Sequence, residues 1–276
     1  MTGATTRRAW RTAAVVLLAC ATIFPIYWMI VSATTDTSRM FVAVPDLLPN
    51  PGHLSGFRTA LTETPLARWL VNSALIAAGT TTLSMAVAWF AAYALSRYRF
   101  RGRGLFGLAL FVTQFLPEVF LLVPLYGMFL AAGLLNRLEG LMIVNAAFVV
   151  PVATWLLKTA IDSVPREIEE AARVDGAPRL AIQITVVAPL VLPSLAAVAV
   201  IAFFQAWDEF VFALTFLSKA DLKPASVGIA AFVGELTTPM DVMLSASLIY
   251  VLPTLLFAIL AQRYIISGLV AGAVKG

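Results

Sequence analysis

Residues 163–178 read Ser163-Val-Pro-Arg-Glu-Ile-Glu-Glu-Ala-Ala-Arg-Val-Asp-Gly-Ala-Pro178, a charged island in an otherwise apolar chain. Their chemistry predicts one short helix. Pro165 suits a first helical turn. Glu167, Glu169 and Glu170 sit near the positive end of the helix dipole, and Gly176 suits the C-terminal cap. Ile168, Ala171, Ala172 and Asp175 recur at i, i+3, i+4 and i+7, so they share one side. Two alanines keep that side small, and another surface can approach it closely. Pro178 permits a second helical start leading toward the next apolar run, which Pro189 and Pro193 can bend.

The residues on either side explain why this island stands out. The chain has 276 residues, 61% hydrophobic and only 12% charged. A soluble domain carries roughly 25% charged residues, so a soluble enzyme is disfavoured, and disorder requires a far less hydrophobic chain. Six runs are long enough to cross a bilayer, which takes about 20 apolar residues. They cover about Thr12–Ala33, Trp69–Leu95, Leu105–Ala132, Gly140–Leu157, Val186–Phe216 and Val242–Gln262. None alternates as a membrane strand does. The expectation is an all-α integral membrane protein, a single domain over 1–276, with a cytoplasmic loop at about 158–185 and an outer loop at about 34–68. In that outer loop Pro45, Pro49, Pro51 and Pro65 limit regular structure.

Leu17-Leu-Ala-Cys20, behind Arg7, Arg8 and Arg11, resembles a lipoprotein cleavage box. The apolar run continues to Val31, however, past the 7–15 residues of a cleavable signal, and an uncleaved anchor is expected. With the N-terminus inside, thirteen of the nineteen Lys and Arg fall on inner segments, which places both termini in the cytoplasm. The basic loop Arg97–Arg103 fits retention at anionic membrane lipid better than nucleic-acid binding.

Catalytic constellations are missing. The single Cys20 and single His53 leave no internal disulfide and no Cys- or His-cluster metal site. There is no Gly-x-Ser-x-Gly elbow, no His-Glu-x-x-His pair and no phosphate-cradling Gly-x-x-x-x-Gly-Lys-Ser/Thr loop. Uphill transport by this chain therefore needs energy from an ion or from another chain.

Glu170-Ala-Ala172, three residues, Gly176, nine residues and Val186-Val-Ala-Pro189 resemble the EAA loop of permease subunits of ATP-binding-cassette importers. Ile and Leu are usual where Val186 and Ala188 stand. Trp69-Leu-Val-Asn-Ser73, Ala92-Tyr-Ala-Leu95, Trp207-Asp-Glu-Phe210 and Gly272-Ala-Val-Lys-Gly276 are similar to the carbohydrate branch, of the maltose-permease second-subunit type. The resemblance spans nearly the whole chain and implies the type I importer permease fold. It implies a non-catalytic subunit with no cofactor of its own, ATP and Mg being bound by two partner ATPase subunits. It also implies a second homologous permease and an extracytoplasmic solute-binding protein or lipoprotein. Glu170, Ala171, Ala172, Asp175, Gly176, Ala177 and Lys275 are the ATPase-coupling residues it implies. Asn is usual in the family where Asp208 stands.

Polar residues inside the spans are candidates for the solute path, because ionisable groups in a membrane face a cavity or a partner. Glu118 lies four residues after Gln114, so both are expected on one face. Pro117 and Pro124 can break that helix and free carbonyls. Gln205, Asp208, Glu209 and Phe212 are expected on one face of the fifth run, with Trp207 as a flat ring for a sugar. A continuous helix from Val186 puts Asp208 about 33 Å along, a depth that also fits interfacial packing or gating. Asn145 suits either a solute contact or an interhelical hydrogen bond. The alternative of another class is an ion-coupled secondary transporter, with Glu118, Asp208 and Glu209 carrying protons and broken helices forming its site. A lone carrier of that kind has no use for a docking helix.

Overall fold

Apolar runs become helices because a lipid-facing backbone must satisfy its own hydrogen bonds. The computed structural model describes residues 2–40, 42, 46–233 and 239–273, with side chains at 10–40, 42, 46–233, 239–259 and 262. Four long helices arise directly: α1 (Thr2–Ala33), α3 (Leu66–Arg97), α6 (Leu138–Asp162) and α13 (Met240–Ala273). Pro25, Pro151 and Pro253 lie inside α1, α6 and α13 without ending them. The short helix α2 (Ser55–Thr62) stands in the outer loop.

The third and fifth runs are broken. The third divides into α4 (Arg103–Thr113) and α5 (Glu118–Ala131), bent by 102°. Pro117 is the N-cap of α5; it lacks an N–H and disfavours helix in the residue before it. Pro124 sits within α5 and does not break it. The expected common face of Gln114 and Glu118 is therefore interrupted, since one caps α4 and the other begins α5.

After α7 (Arg166–Val174), the fifth run opens with α8 (Arg179–Ala181), a π-helical stretch Ile182–Val187 and α9 (Ala188–Leu190). An 86° bend at Val191 leads into α10 (Leu192–Trp207). Next come α11 (Val211–Phe216) and α12 (Ala225–Phe232). Two expectations change. Gln205, Asp208, Glu209 and Phe212 do not share one helical face, because α10 stops at Trp207. Asp208 lies about 24 Å from Leu192 along α10, not 33 Å from Val186, because the bend removes the first turns from the count. Among the described residues, four helices can cross a membrane by themselves, and six crossings result if each bent pair counts as one.

The chain forms two compact units, Met1–Ala67 with Ile229–Leu252, and Arg68–Gly228 with Pro253–Gly276. In the first, α1 leaves most of its apolar surface uncovered; Leu17 is 73% exposed. That suits lipid or another membrane chain. The second unit holds two clusters. One joins Ala88, Trp89 and Ala92 of α3 to Val149, Ala153, Leu157 and Ile161 of α6 and Val198 and Ala202 of α10. The other gathers Ile76, Leu141, Val144, Phe212 and Phe216.

Candidate functional site

At one end of the second unit stands α7. Pro165 is its N-cap and Glu167 and Glu169 occupy its first turn. Its C-terminus closes as the sequence requires. Gly176 has φ +84°, its N–H donates to Arg173 O at 3.0 Å, and Ala177 N–H donates to Ala172 O at 3.0 Å. This pair of bonds is the Schellman cap. Ala172 turns partly inward and packs on the core, whereas Ile168, Glu170, Ala171 and Asp175 are exposed. The small side expected from spacing is thus open except at Ala172.

The inward side of α7 carries a residue whose sequence position marks it only as a dipole partner. Glu169 is 2% exposed. It accepts from Arg97 Nε at 2.5 Å and from Tyr93 Oη at 2.5 Å. Arg97 Nη2 donates onward to Val164 O at 2.8 Å, and Arg166 Nη2 donates to Ser96 O at 3.2 Å. Ser96 Oγ donates to Asp162 at 2.6 Å, and Lys158 pairs with the same carboxylate at 2.5 Å. The C-terminal ends of α3 and α6 and the first turn of α7 are so tied by one charged network, buried at Arg97 and Glu169 and open at Asp162.

The Trp69–Ser73 motif has an equally definite place at the far end of α3. Asn72 Nδ2 donates to Asp221 O and Lys223 O, both at 2.9 Å. Ser73 Oγ accepts from Ala225 N–H at 2.9 Å. Gly228 lies against the Trp69 ring, where an added Cβ would come within 2.2 Å of it. The motif pins the chain between α11 and α12.

The two helix breaks converge on α6. A cavity of about 440 Å³ is lined by Glu118, Asn145, Phe148, Gln205, Asp208 and Glu209, together with Val149, Phe204, Phe210, Val211 and Phe212. Glu118, Gln205 and Asp208 are exposed toward open space, and Glu209 is half-buried. Glu209 accepts from the N–H groups of Phe212 at 2.6 Å and Ala213 at 2.9 Å. Its carboxylate therefore begins α11. Asn145 is 5% exposed and its Nδ2 has no hydrogen-bond partner among the described residues. Phe148 stacks on Phe212 at 5.3 Å.

Two expected residues lie elsewhere. Trp207 is 3% exposed and stacks on Phe203 at 5.7 Å, so the aromatic wall is phenylalanine instead. Trp207 ends α10, so the helix directs its ring, whereas Asp208 and Glu209 follow in the turn beyond it. Gln114 reaches Phe148 O at 3.4 Å and lines an apolar groove with Phe111 and Trp155. Lys275 lies outside the described residues, as does the end of the expected Gly272–Gly276 tail.

His53, in the first unit, resembles a catalytic group only superficially. Its Nε2 faces both Ser55 Oγ at 3.3 Å and Asp241 Oδ2 at 3.5 Å. A base of the serine-hydrolase kind uses one ring nitrogen for each partner, so the trio is not such a relay. Asp241 also accepts from Thr37 Oγ1 at 2.9 Å, which reads as a tie between loop and helix.

Residues 84–268 match the family described as the binding-protein-dependent transport system inner membrane component. The chain is 32% identical over 254 residues to the sulfoquinovosyl glycerol transport system permease protein SmoH of Agrobacterium fabrum, covering 92% of this chain and 89% of that protein. It is 33% identical over 264 residues to the trehalose/maltose transport system permease protein MalG of Thermococcus litoralis, covering 95% and 94%. Its fold is similar to a chain of a bacterial ABC transporter that imports the acidic polysaccharide alginate. That match has a TM-score of 0.84 at 21% identity, over 96% of this chain and 98% of the other. Nothing in these matches supports the ion-coupled alternative.

Proposed function

We infer the work of this chain from one premise: it belongs to the family of binding-protein-dependent transport system inner membrane components. It is a multi-pass inner-membrane permease subunit with the type I importer fold. The solute, on this reading, is a carbohydrate, as the trehalose and maltose named for one relative suggest. An extracytoplasmic binding protein delivers it, and a second permease completes the channel. ATP with Mg is bound and hydrolysed by two partner ATPase subunits, and this chain catalyses nothing.

One observation carries the reading. α7 presents Glu170, Ala171 and Asp175 outward while Glu169 anchors it to the end of α3. A helix exposed on one side and locked by a buried ion pair on the other can receive a push and pass it into a membrane helix. Glu170, Ala171, Ala172, Asp175, Gly176 and Ala177, with Lys275, form the ATPase-coupling surface in this proposal. The cavity between the breaks is the part of the solute path held by this chain, with Glu118, Asn145, Gln205, Asp208 and Glu209 facing the solute.

The test is reconstitution. The chain alone in liposomes takes up no labelled sugar under a proton gradient, while liposomes holding both permeases, the ATPases and the binding protein do so with ATP. Gradient-driven uptake by the isolated chain would overturn the proposal.

A further inference from the structure

The polar wall of the cavity has a chemistry of its own. Glu118 and Asp208 contribute carboxylates, which accept hydrogen bonds and donate none, and Glu209 adds a third that is already engaged by the N–H groups of Phe212 and Ala213. Only Asn145 and Gln205 bring side-chain donors, and no Lys, Arg or His lines the cavity among the described residues. Acidic side chains alone would not mark a ligand site. Asn145 adds an independent sign: a 5% exposed side chain on the same wall whose Nδ2 donor lacks a partner. A polar group buried without a bond is costly, and a ligand oxygen at the cavity would relieve it.

We propose that this cavity admits neutral or cationic hydroxylated solutes and rejects anionic ones. The proposal rests on the reading of the cavity as part of the solute path. A sugar hydroxyl or ammonium group donates to Glu118 and Asp208, while a hydroxyl or ring oxygen accepts from Asn145 and Gln205. The hydrocarbon face of the ring lies on Phe148, itself braced by Phe212. A carboxylated, sulfonated or phosphorylated sugar brings acceptors to acceptors and charge to like charge. Clefts lined by one sign of charge concentrate the opposite ion and exclude their own. The fold shared with the importer of an acidic polysaccharide does not carry that preference over, because the preference resides in these side chains.

The experiment probes the cavity without needing the solute. Cys20 is exposed and is the one cysteine of this chain, so Cys20→Ser frees the chain of thiols for Gln205→Cys, and labelling is read on this chain after it is separated from its partners. The complete importer is reconstituted, nucleotide-free and ATP-bound. It is then treated with trimethylammonium-ethyl or sulfonato-ethyl methanethiosulfonate. The cationic reagent is expected to react about tenfold or more faster than the anionic one, relative to the same ratio for free cysteine. Glu118→Gln with Asp208→Asn should bring the ratio most of the way back to that of free cysteine, Glu209 being the one carboxylate left on the wall. Modification with no preference of sign, or a preference that the double substitution leaves unchanged, overturns the charge inference and leaves the path intact. A thiol that neither reagent reaches in either state overturns the path itself, and the inference with it. Uptake of an acidic disaccharide as fast as its neutral counterpart would also overturn the inference.

Discussion

The buried network at α7 and the cavity at the helix breaks handle charge in opposite ways. At α7, Glu169 is enclosed at 2% exposure with Arg97 and Tyr93 against it. In the cavity, Glu118 and Asp208 are exposed, no cationic side chain is on the wall among the described residues, and the Asn145 amide N–H group lacks an acceptor. An acid enclosed with its counter-ion holds two elements together. Acids that line a gap can also meet something that comes from outside. The same residue type thus marks a joint in one region and, on the proposed reading, a receptor in the other, and substitution should separate the two.

The largest effect is expected at the joint. Removing one member of a buried ion pair strands the other and costs roughly 3–5 kcal/mol, whereas replacing both with apolar groups is often nearly neutral. Arg97→Met or Glu169→Met alone should lower the unfolding midpoint in detergent strongly and release the ATPase subunits during purification. The double substitution should recover most of the midpoint. If it also recovers uptake, the ion pair is only a structural joint; stability without coupled uptake would show that the rigid link to α3 transmits the stroke. Additive losses from the two single substitutions would break the comparison outright.

Glu209 comes next, because it combines both roles within the cavity. It lines the cavity, yet its carboxylate takes two N–H groups at the start of α11. Glu209→Leu leaves those donors unsatisfied, at roughly 2–3 kcal/mol. Glu209→Gln keeps one acceptor and should fall between. Unfolding midpoints and ATP-driven uptake are the readouts. If Glu209→Leu matches the parent in both, the residue belongs wholly to neither role.

Distance along the chain decides how much of this was legible in the sequence. The cap at Gly176 and the break at Pro117 depend on one residue's own backbone, and both were legible. So was the bend near Pro189 and Pro193, although its consequence for depth was not: a rise-per-residue sum assumes a straight helix, and the 86° turn at Val191 shortens it. The convergence of Glu118, Asn145, Gln205 and Asp208 was legible only as a set of polar residues within apolar runs. Arg97 and Glu169 lie 72 residues apart. Nothing local distinguishes Arg97 from Arg99 or Glu169 from Glu170, so the joint between them was invisible until α3 and α7 were packed.

A smaller effect is expected at Gly176, on the outward side of α7. Apart from its chain neighbours, no atom lies within 4 Å of where a Cβ would stand, so an added Cβ meets no clash. Gly176→Val meets the cost of a left-handed backbone for a branched side chain, roughly 1–2 kcal/mol. Gly176→Asn, which tolerates that conformation, should cost little. ATPase stimulation by loaded binding protein, compared with uptake, reads the coupling. Valine should lower uptake per ATP with little change in membrane insertion, and asparagine should restore it. Equal coupling in both variants would remove the cap from the mechanism.

The smallest effect should come from Asp208→Asn. The residue sits at the C-cap of α10, lines the cavity and is exposed. Asparagine keeps the size and one acceptor oxygen, replaces the other with a donor, and is the residue usual in the carbohydrate branch that this sequence resembles. Uptake of a neutral sugar should therefore stay within about twofold of the parent, as expected for one exposed hydrogen bond exchanged for another. The unfolding midpoint should not move. Asp208→Leu removes both functions and should lower uptake further, with a fall in the midpoint well short of that for Arg97→Met. That split between transport and stability is the mirror image of Arg97→Met, where stability falls first. A fall in the midpoint for Asp208→Asn comparable to that for Arg97→Met would mean the cavity acid is a joint after all, and the distinction between the two regions would fail at its most exposed residue.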